Sequence, residues 1–315
     1  MHKIIYAIAW CFSLLPLQVL YLFADCGYVL IYHIARYRRK LAYKNIRESF
    51  PEKTEEECRR ITKRFYRHFC NMFVETIKTL TMSDKEMAKR FVFENADIID
   101  DYYEQNKSLI LTLGHYGNWE WITFARIPNL KHPEYKCYSI YHKLENGAMN
   151  KFYYEMRSKS KSILIAQNQL LRALVSQEKK KEPAMYCFIA DQGTMWEDMY
   201  IWVDFLNHET SPIIGPEKIA KRTGYDVIYL DVTVRKRGYY SLRFEKIEPT
   251  GKEYDVTRKY MQMMETTISR APEYWLWTHK RWKRTRKTWE KIMHERNQDS
   301  RIELAKTEDK NRLEK

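Results

Sequence analysis

One segment of this chain has the residue types and spacing of a reaction centre. Leu109-Ile110-Leu111-Thr112-Leu113 reads as an apolar strand, and Gly114-His115-Tyr116-Gly117-Asn118-Trp119-Glu120 reads as a turn running into a helix. The carboxyl end of a strand is where α/β folds bind ligands, and Gly114 and Gly117 let backbone approach a substrate closely. On one continuous helix, the step from His115 to Glu120 would set them about 140° apart. They are expected to pair only if His115 lies in the turn, Asn118 caps the helix, and Glu120 reaches back to the imidazole from the helix's first turn. Such a pair suits acyl transfer to an alcohol: the imidazole removes the hydroxyl proton while the carboxylate fixes its tautomer, with no enzyme nucleophile required. The residues equally allow a loop histidine satisfied by backbone, with Glu120 placed favourably at a helix N-terminus.

The elements that must position this turn are legible as alternating periods. Apolar positions at helical spacing (Ile61, Phe65, Phe69, Phe73, Ile77) predict a long amphipathic helix over 54–81, capped by Thr54 with Glu55, Glu56 and Glu57 in its first turn. Strands are expected at Ser108–Leu113, Tyr135–Tyr141, Ala184–Ala190, Val227–Val234 and Tyr240–Phe244, and helices at 118–127, 146–158, 168–178, 215–223 and 255–270. That alternation predicts an α/β fold with a mixed, largely parallel central sheet flanked by helices. From Thr285 onward almost every second residue is charged and apolar residues are few, so 285–315 is expected to be a charged tail, as solvated helix or disorder.

At 315 residues without a Pro/Gly/Ser-rich linker, the chain reads as one main domain with appendages. Its 55 Lys+Arg against 41 Asp+Glu leave a net charge of +14, which calls for an anionic partner: nucleic acid, a membrane surface or an acidic protein. The six cysteines form no C-x-x-C pair, which suggests neither a zinc site nor a disulfide framework and fits a reducing compartment. A Walker loop, a G-x-S-x-G elbow and H-E-x-x-H are all missing from the sequence, and the chemistry calls for no cofactor and no metal.

Ile4 to Ala24 carries no charge, long enough for the ~20 residues of a spanning helix although Pro16 and Gln18 interrupt it. Apolar character resumes at Tyr28–Tyr32, so two short helices joined near Asp25-Cys26-Gly27 are expected, with residues 1–40 as an N-terminal membrane anchor. No small-x-small cleavage site follows, which argues against a signal peptide. The basic cluster Arg36, Arg38, Arg39 and Lys40 keeps the body of the protein cytosolic by the positive-inside rule. Trp275, Trp277 and Trp282, interleaved with His279, Lys280, Arg281, Lys283 and Arg284, read as a membrane-interface belt, a platform for single-stranded nucleic acid, or core tryptophans with a basic rim. Given the N-terminal run, the expected partner is the membrane and not nucleic acid.

The Gly114 to Glu120 segment resembles the H-x-x-x-x-D/E site of the late acyltransferases of lipid A biosynthesis. Arg36 to Pro51 resembles that family's opening segment, Asp191-Gln192-Gly193 its D-Q turn, and Pro272 to Lys283 its closing motif, in the family's order and over residues 36–284. The resemblance implies a glycerolipid-acyltransferase-like domain over 41–284, an acyl-carrier-protein thioester as donor, a hydroxyl of a lipid A precursor as acceptor, and chemistry at the cytosolic face of the bacterial inner membrane. Carrier protein is acidic, in keeping with the +14 charge. By position it makes His115 and Glu120 the catalytic dyad, places Arg157 and Asp191 on family residues, and leaves Asn118 and Gly117 beside the substrate. Arg157 is suited to hold a phosphate by bidentate hydrogen bonds. Asp191 is expected either to orient that arginine or to cap a turn. Two departures stand out: Phe205-Leu206-Asn207 where the family often has Phe-Phe-Gly, and Tyr141-His142-Lys143 where it usually has Tyr-Arg.

The chain should sediment with membranes and stay there in high salt, because apolar burial of the N-terminal run is not weakened by ionic screening. Complete extraction by salt without detergent would show that the attachment is electrostatic.

Overall fold

The computed structural model describes residues 2–124, 130–141, 147–157 and 162–296. Its first two helices are α1 (His2–Ser13) and α2 (Leu17–Tyr28), the latter running on through a π-helical turn over Val29–Ile34. The apolar run therefore breaks at Pro16, which stands in extended conformation at the start of α2, and not at Asp25-Cys26-Gly27 as the sequence suggested. Helix continues through those three residues, where the Asp25 carboxylate pairs with Arg237 at 3.1 and 2.8 Å. Leu17–Ile34 is long and apolar enough to cross a membrane. One face of it is already used: Leu17, Leu20, Ala24, Tyr28 and Tyr32 are buried in the same core as the sheet, while Leu22, Phe23, Val29 and Leu30 are exposed.

The partner of that buried face is the long amphipathic helix. After α3 (Arg39–Ser49) comes α4 (Glu55–Lys78), which starts where expected because Thr54 and Glu57 form a reciprocal capping box: Glu57 N donates to Thr54 Oγ1 at 3.2 Å and Thr54 N to Glu57 Oε2 at 2.8 Å. Cys58, Ile61, Phe65, Tyr66 and Met72 face inward from α4. Then follow α5 (Asp84–Arg90), β1 (Phe91–Phe93), α6 (Asp97–Glu104), β2 (Leu109–Leu113), α7 (Trp121–Phe124), β3 (Lys136–Tyr141), α8 (Gly147–Arg157), β4 (Ile163–Ala166), α9 (Leu170–Lys180) and β5 (Ala184–Ile189). The chain continues through β6 (Val203–Phe205), β7 (His208–Thr210), α10 (Gly215–Thr223), β8 (Asp226–Lys236), β9 (Tyr239–Ile247) and α11 (Asp255–Arg270).

Seven strands form one sheet in the order β1-β9-β8-β2-β5-β3-β4. Its neighbours run parallel except β8 and β9, which form an antiparallel hairpin pair, so the expected mixed, largely parallel sheet is the observed one. β2 lies at the centre with all five residues buried, flanked by β5 and β8. Because β2 and β5 are parallel, with Leu113 opposite Ile189, the segments that leave them, 114–120 and 190–193, emerge side by side at one edge.

The outer strands β1 and β4 and the hairpin β6–β7 were absent from the sequence reading. They have three or four residues each, too short to display a period. The hairpin turns on Leu206 and Asn207, both left-handed (φ 52° and 60°) as a two-residue type I′ turn requires. The departure from Phe-Phe-Gly thus puts Asn where Gly stands, and Asn is among the side chains that tolerate this conformation best. Residues 286–296 are helical, and the rest of the tail lies outside the described residues, as do His142 and Lys143.

Leu20 is fully buried and Leu22 is 65% exposed on the same helix. Leu20→Ala should cost about 2–5 kcal/mol by cavity formation, and Leu22→Ala about 0.5 kcal/mol or less in detergent-solubilised protein, measured by denaturant unfolding. Equal costs would mean that α2 does not pack on the domain.

Candidate active site

Two glycines shape the turn that leaves β2. A Cβ on Gly114 would displace the end of the Met264 side chain and come within 3.2 Å of Asp191 Oδ2, so glycine lets the strand end pass close beneath that carboxylate. Gly117 has φ +62°, and a Cβ there would lie 3.1 Å from Val232. The peptide groups of the turn are held by the protein itself. Gly117 N donates to Tyr274 O at 3.0 Å, and the Gly117 carbonyl accepts from His68 Nε2, also at 3.0 Å. His68 suits that task because burial pushes its pKa down to about 4 and keeps the ring neutral.

His115 sits in this turn as expected, but its carboxylate partner is Asp191. Nδ1 lies 2.7 Å from Asp191 Oδ1, and the His115 backbone N–H donates to Oδ2 at 2.8 Å. Trp275 Nε1 donates to the same Oδ2 at 2.7 Å, and Arg281 Nε to the Asp191 backbone carbonyl at 2.7 Å. Asp191 is fully buried, which would raise its carboxyl pKa, yet the His115 charge and the hydrogen bonds from His115 and Trp275 outweigh burial and hold it below the ordinary value. This pattern assigns the proton to Nδ1 and leaves Nε2 as the basic nitrogen, facing the Gln192 amide nitrogen at 3.3 Å. Trp119 packs edge-on against the ring, with centroids 5.0 Å apart.

Glu120 does not reach back to the imidazole. The helix begins at Trp121, one residue after Glu120, and both Glu120 oxygens pair with Arg157 at the end of α8: Nε to Oε2 at 3.0 Å and NH2 to Oε1 at 2.5 Å. Two expected pairings are thereby exchanged: Asp191 orients His115 and not Arg157, and Glu120 holds Arg157. Asn118 caps α7 as predicted, its Oδ1 accepting from Trp121 N at 3.3 Å. It is 1% exposed and its Nδ2 is spent on Glu75, so Asn118 and Gly117 support the turn and do not line a substrate surface, contrary to the expectation.

The opening and closing motifs meet around this site. Asn45 Nδ2 donates to the carbonyls of Trp277 (2.9 Å) and His279 (3.1 Å), and Arg38 NH1 to Thr278 O at 3.0 Å. Trp275 and Trp277 are buried at 3% and 0% exposure, so these two are core tryptophans and not an interface belt. A groove of about 280 Å³ runs beside the site, apolar along Phe69, Met72, Phe73, Trp119 and Leu276 and polar at Glu120, Arg38 and His279. Burial pushes His279 down to about 4, leaving it neutral. A larger cavity of about 760 Å³ opens behind the turn, with His68 and Glu75 in its walls and without His115. Sequence reasoning missed Trp275, Gln192 and Arg281 as supports. The available signal was that Asp191, like His115, follows an apolar strand.

The site is thus a histidine–carboxylate pair at the strand ends of a mixed, largely parallel sheet, with an apolar groove and an apolar N-terminal helix alongside. The bacterial lipid A biosynthesis acyltransferase family matches the chain over residues 2–284, and the chain belongs to that family. It is 26% identical over 258 residues to the lipid A biosynthesis palmitoleoyltransferase of Escherichia coli (strain K12), covering 78% of this chain and 79% of that relative. The identity and coverage are the same for a lipid A biosynthesis acyltransferase of Shigella flexneri.

If Asp191 fixes the His115 tautomer, Asp191→Asn should lower kcat by on the order of 10³–10⁴ while near-UV circular dichroism stays native. Wild-type turnover in a folded Asp191→Asn protein would remove the pair from the chemistry.

Proposed function

We propose that this protein transfers a fatty acyl chain from an acyl-carrier-protein thioester to a hydroxyl of a lipid A precursor, at the cytosolic face of the bacterial inner membrane. The observation that carries the reading is the His115–Asp191 pair at 2.7 Å, which keeps the proton on Nδ1 and leaves Nε2, facing the Gln192 amide, to act as base, with the apolar groove reaching the same turn at Trp119 and Glu120. In the reaction the acceptor hydroxyl gives its proton to Nε2 as its oxygen attacks the thioester carbonyl. Asp191 steadies the imidazolium that forms. The tetrahedral intermediate then collapses with cleavage of the C–S bond, and the leaving thiolate takes the proton back from His115, so that ester and free carrier thiol result and the enzyme is unchanged.

Glu120 and Arg157 take a second role. The bidentate pair holds the guanidinium in place at the polar end of the groove, where it can exchange Glu120 for a phosphate of donor or acceptor. Phe69, Met72, Phe73 and Leu276 supply an apolar wall for the acyl chain. The exposed face of α2 brings the site to the bilayer in which a lipid acceptor resides, and the net charge of +14 favours an acidic carrier.

Disrupting the gene should remove one secondary acyl chain from lipid A and leave its sugars and primary chains intact, read by mass spectrometry of total lipid. Wild-type protein should restore it and His115→Ala should not, since loss of a general base costs ~10²–10⁴-fold. Unchanged lipid A with loss of another acylated lipid would move the acceptor to a different lipid class and leave the transfer chemistry standing.

A further inference from the structure

Glu75 lies on α4 and is fully buried, close to no catalytic group in the sequence. A carboxylate so placed is costly unless donors satisfy it. Three do, from three elements. Tyr21 of α2 donates its hydroxyl to Oε1 at 2.8 Å, Tyr240 of β9 donates to Oε2 at 2.7 Å, and Asn118 Nδ2 donates to Oε2 at 2.8 Å. The Glu75 backbone carbonyl also accepts from Trp121 Nε1 at 3.0 Å. Stability alone does not call for such a group, because an apolar side chain of similar volume often serves as well or better. What the carboxylate adds is direction.

That direction points at the reaction centre. Asn118 and Trp121 stand on either side of Glu120, and Glu75 holds both, so together with the His68 and Tyr274 contacts to Gly117 it fixes from behind the path of the backbone that presents Glu120 to Arg157. The third ligand comes from the apolar helix. Tyr21 enters a slot at the β8–β9 turn so tight that a Cβ on Gly238 would strike its hydroxyl, and Arg237 lies 4.2 Å from its ring centre while pairing with Asp25 of the same helix. The next residues of that helix, Leu22 and Phe23, face outward.

We propose that Glu75 is a positioning residue that couples the seating of α2 to the geometry of the Asn118–Glu120 turn, so that the apolar helix is part of the catalytic apparatus and not only its attachment. This rests on the reading of that turn as catalytic. When α2 seats, the Tyr21 hydroxyl occupies Oε1 and leaves Oε2 for Asn118 and Tyr240. When α2 is displaced, Oε1 loses its donor, and the carboxylate turns toward the remaining ones and draws the Asn118 side of the turn with it.

The test uses the full chain in phospholipid vesicles, with an acyl-carrier-protein thioester as donor and a lipid A precursor as acceptor. Tyr21→Phe, Glu75→Gln, their double variant and His115→Ala are compared by kcat, KM and Tm. Tyr21→Phe and Glu75→Gln should each lower kcat on the order of ten- to hundredfold, with a smaller rise in KM, because the displaced turn carries the reacting His115 as well as Glu120. The double variant should be no slower than Glu75→Gln alone, since both act through one contact. Wild-type kcat in folded Glu75→Gln, or losses that multiply in the double variant, would overturn the coupling. Should Glu75→Gln fail to fold, Tyr21→Phe decides by itself, because it removes one hydroxyl and wild-type kcat there refutes the proposal. An active His115→Ala would instead overturn the catalytic reading of the turn.

Discussion

The buried Asp191 carboxylate is the interaction around which the site is organised. It takes hydrogen bonds from the His115 backbone, the His115 ring and the Trp275 indole, and its own carbonyl is held by Arg281. These donors come from the end of β2 and from the closing motif, and the acceptor stands at the end of β5. One charged group therefore ties together two strand ends that the parallel pairing of β2 and β5 already sets side by side, and fastens the closing motif to both. The cost of burying the charge is offset only while every donor is in place, which makes the arrangement close to all-or-none. Gly114 and Gly117 serve the same end by letting the turn pass beneath the carboxylate and bend away from it.

Much of the scaffold was legible because its signals are local. α10 and α11 occupy the predicted spans, 215–223 and 255–270; α10 has Pro216 in its first turn and Gly224 left-handed just past its end. The strands β2, β3, β5 and β8 were found within a residue or two because predominantly apolar runs, unbroken in β2 apart from Thr112 and interrupted by single polar residues in β3 and β8, mark them. Helix α4 declared itself through its capping box and its apolar stripe.

The site was legible in its members and not in its pairings. His115, Glu120, Arg157 and Asp191 were all named, yet the choice of partner depends on strand order. Two strands, β3 and β4, intervene in the chain between β2 and β5, which are neighbours in the sheet, and this brings His115 against a carboxylate 76 residues away. Glu120 was assigned to His115 because it was near in sequence. The start of α7 at Trp121 and the approach of α8 directed it to Arg157 instead. The tryptophans of the closing motif show the same limit: composition permitted core or interface, and it is the tertiary packing, with Asn45 and Arg38 on that segment and Asp191 taking the Trp275 indole, that places Trp275 and Trp277 inside.

The two-faced character of α2 has a consequence for how the chain acquires its structure. Its inward face, Leu17, Leu20 and Ala24, completes a core whose other half is α4, and its outward face is apolar as well. During synthesis α2 emerges before α4, so for that interval its apolar faces lack their packing partner and only Gln18 and Asp25 are polar enough to turn toward water. A bilayer surface is the solvent that can hold such a segment until α4 arrives. The membrane then acts as a template for assembling the soluble-looking half of the molecule, and chains released into water at that stage are the ones expected to aggregate.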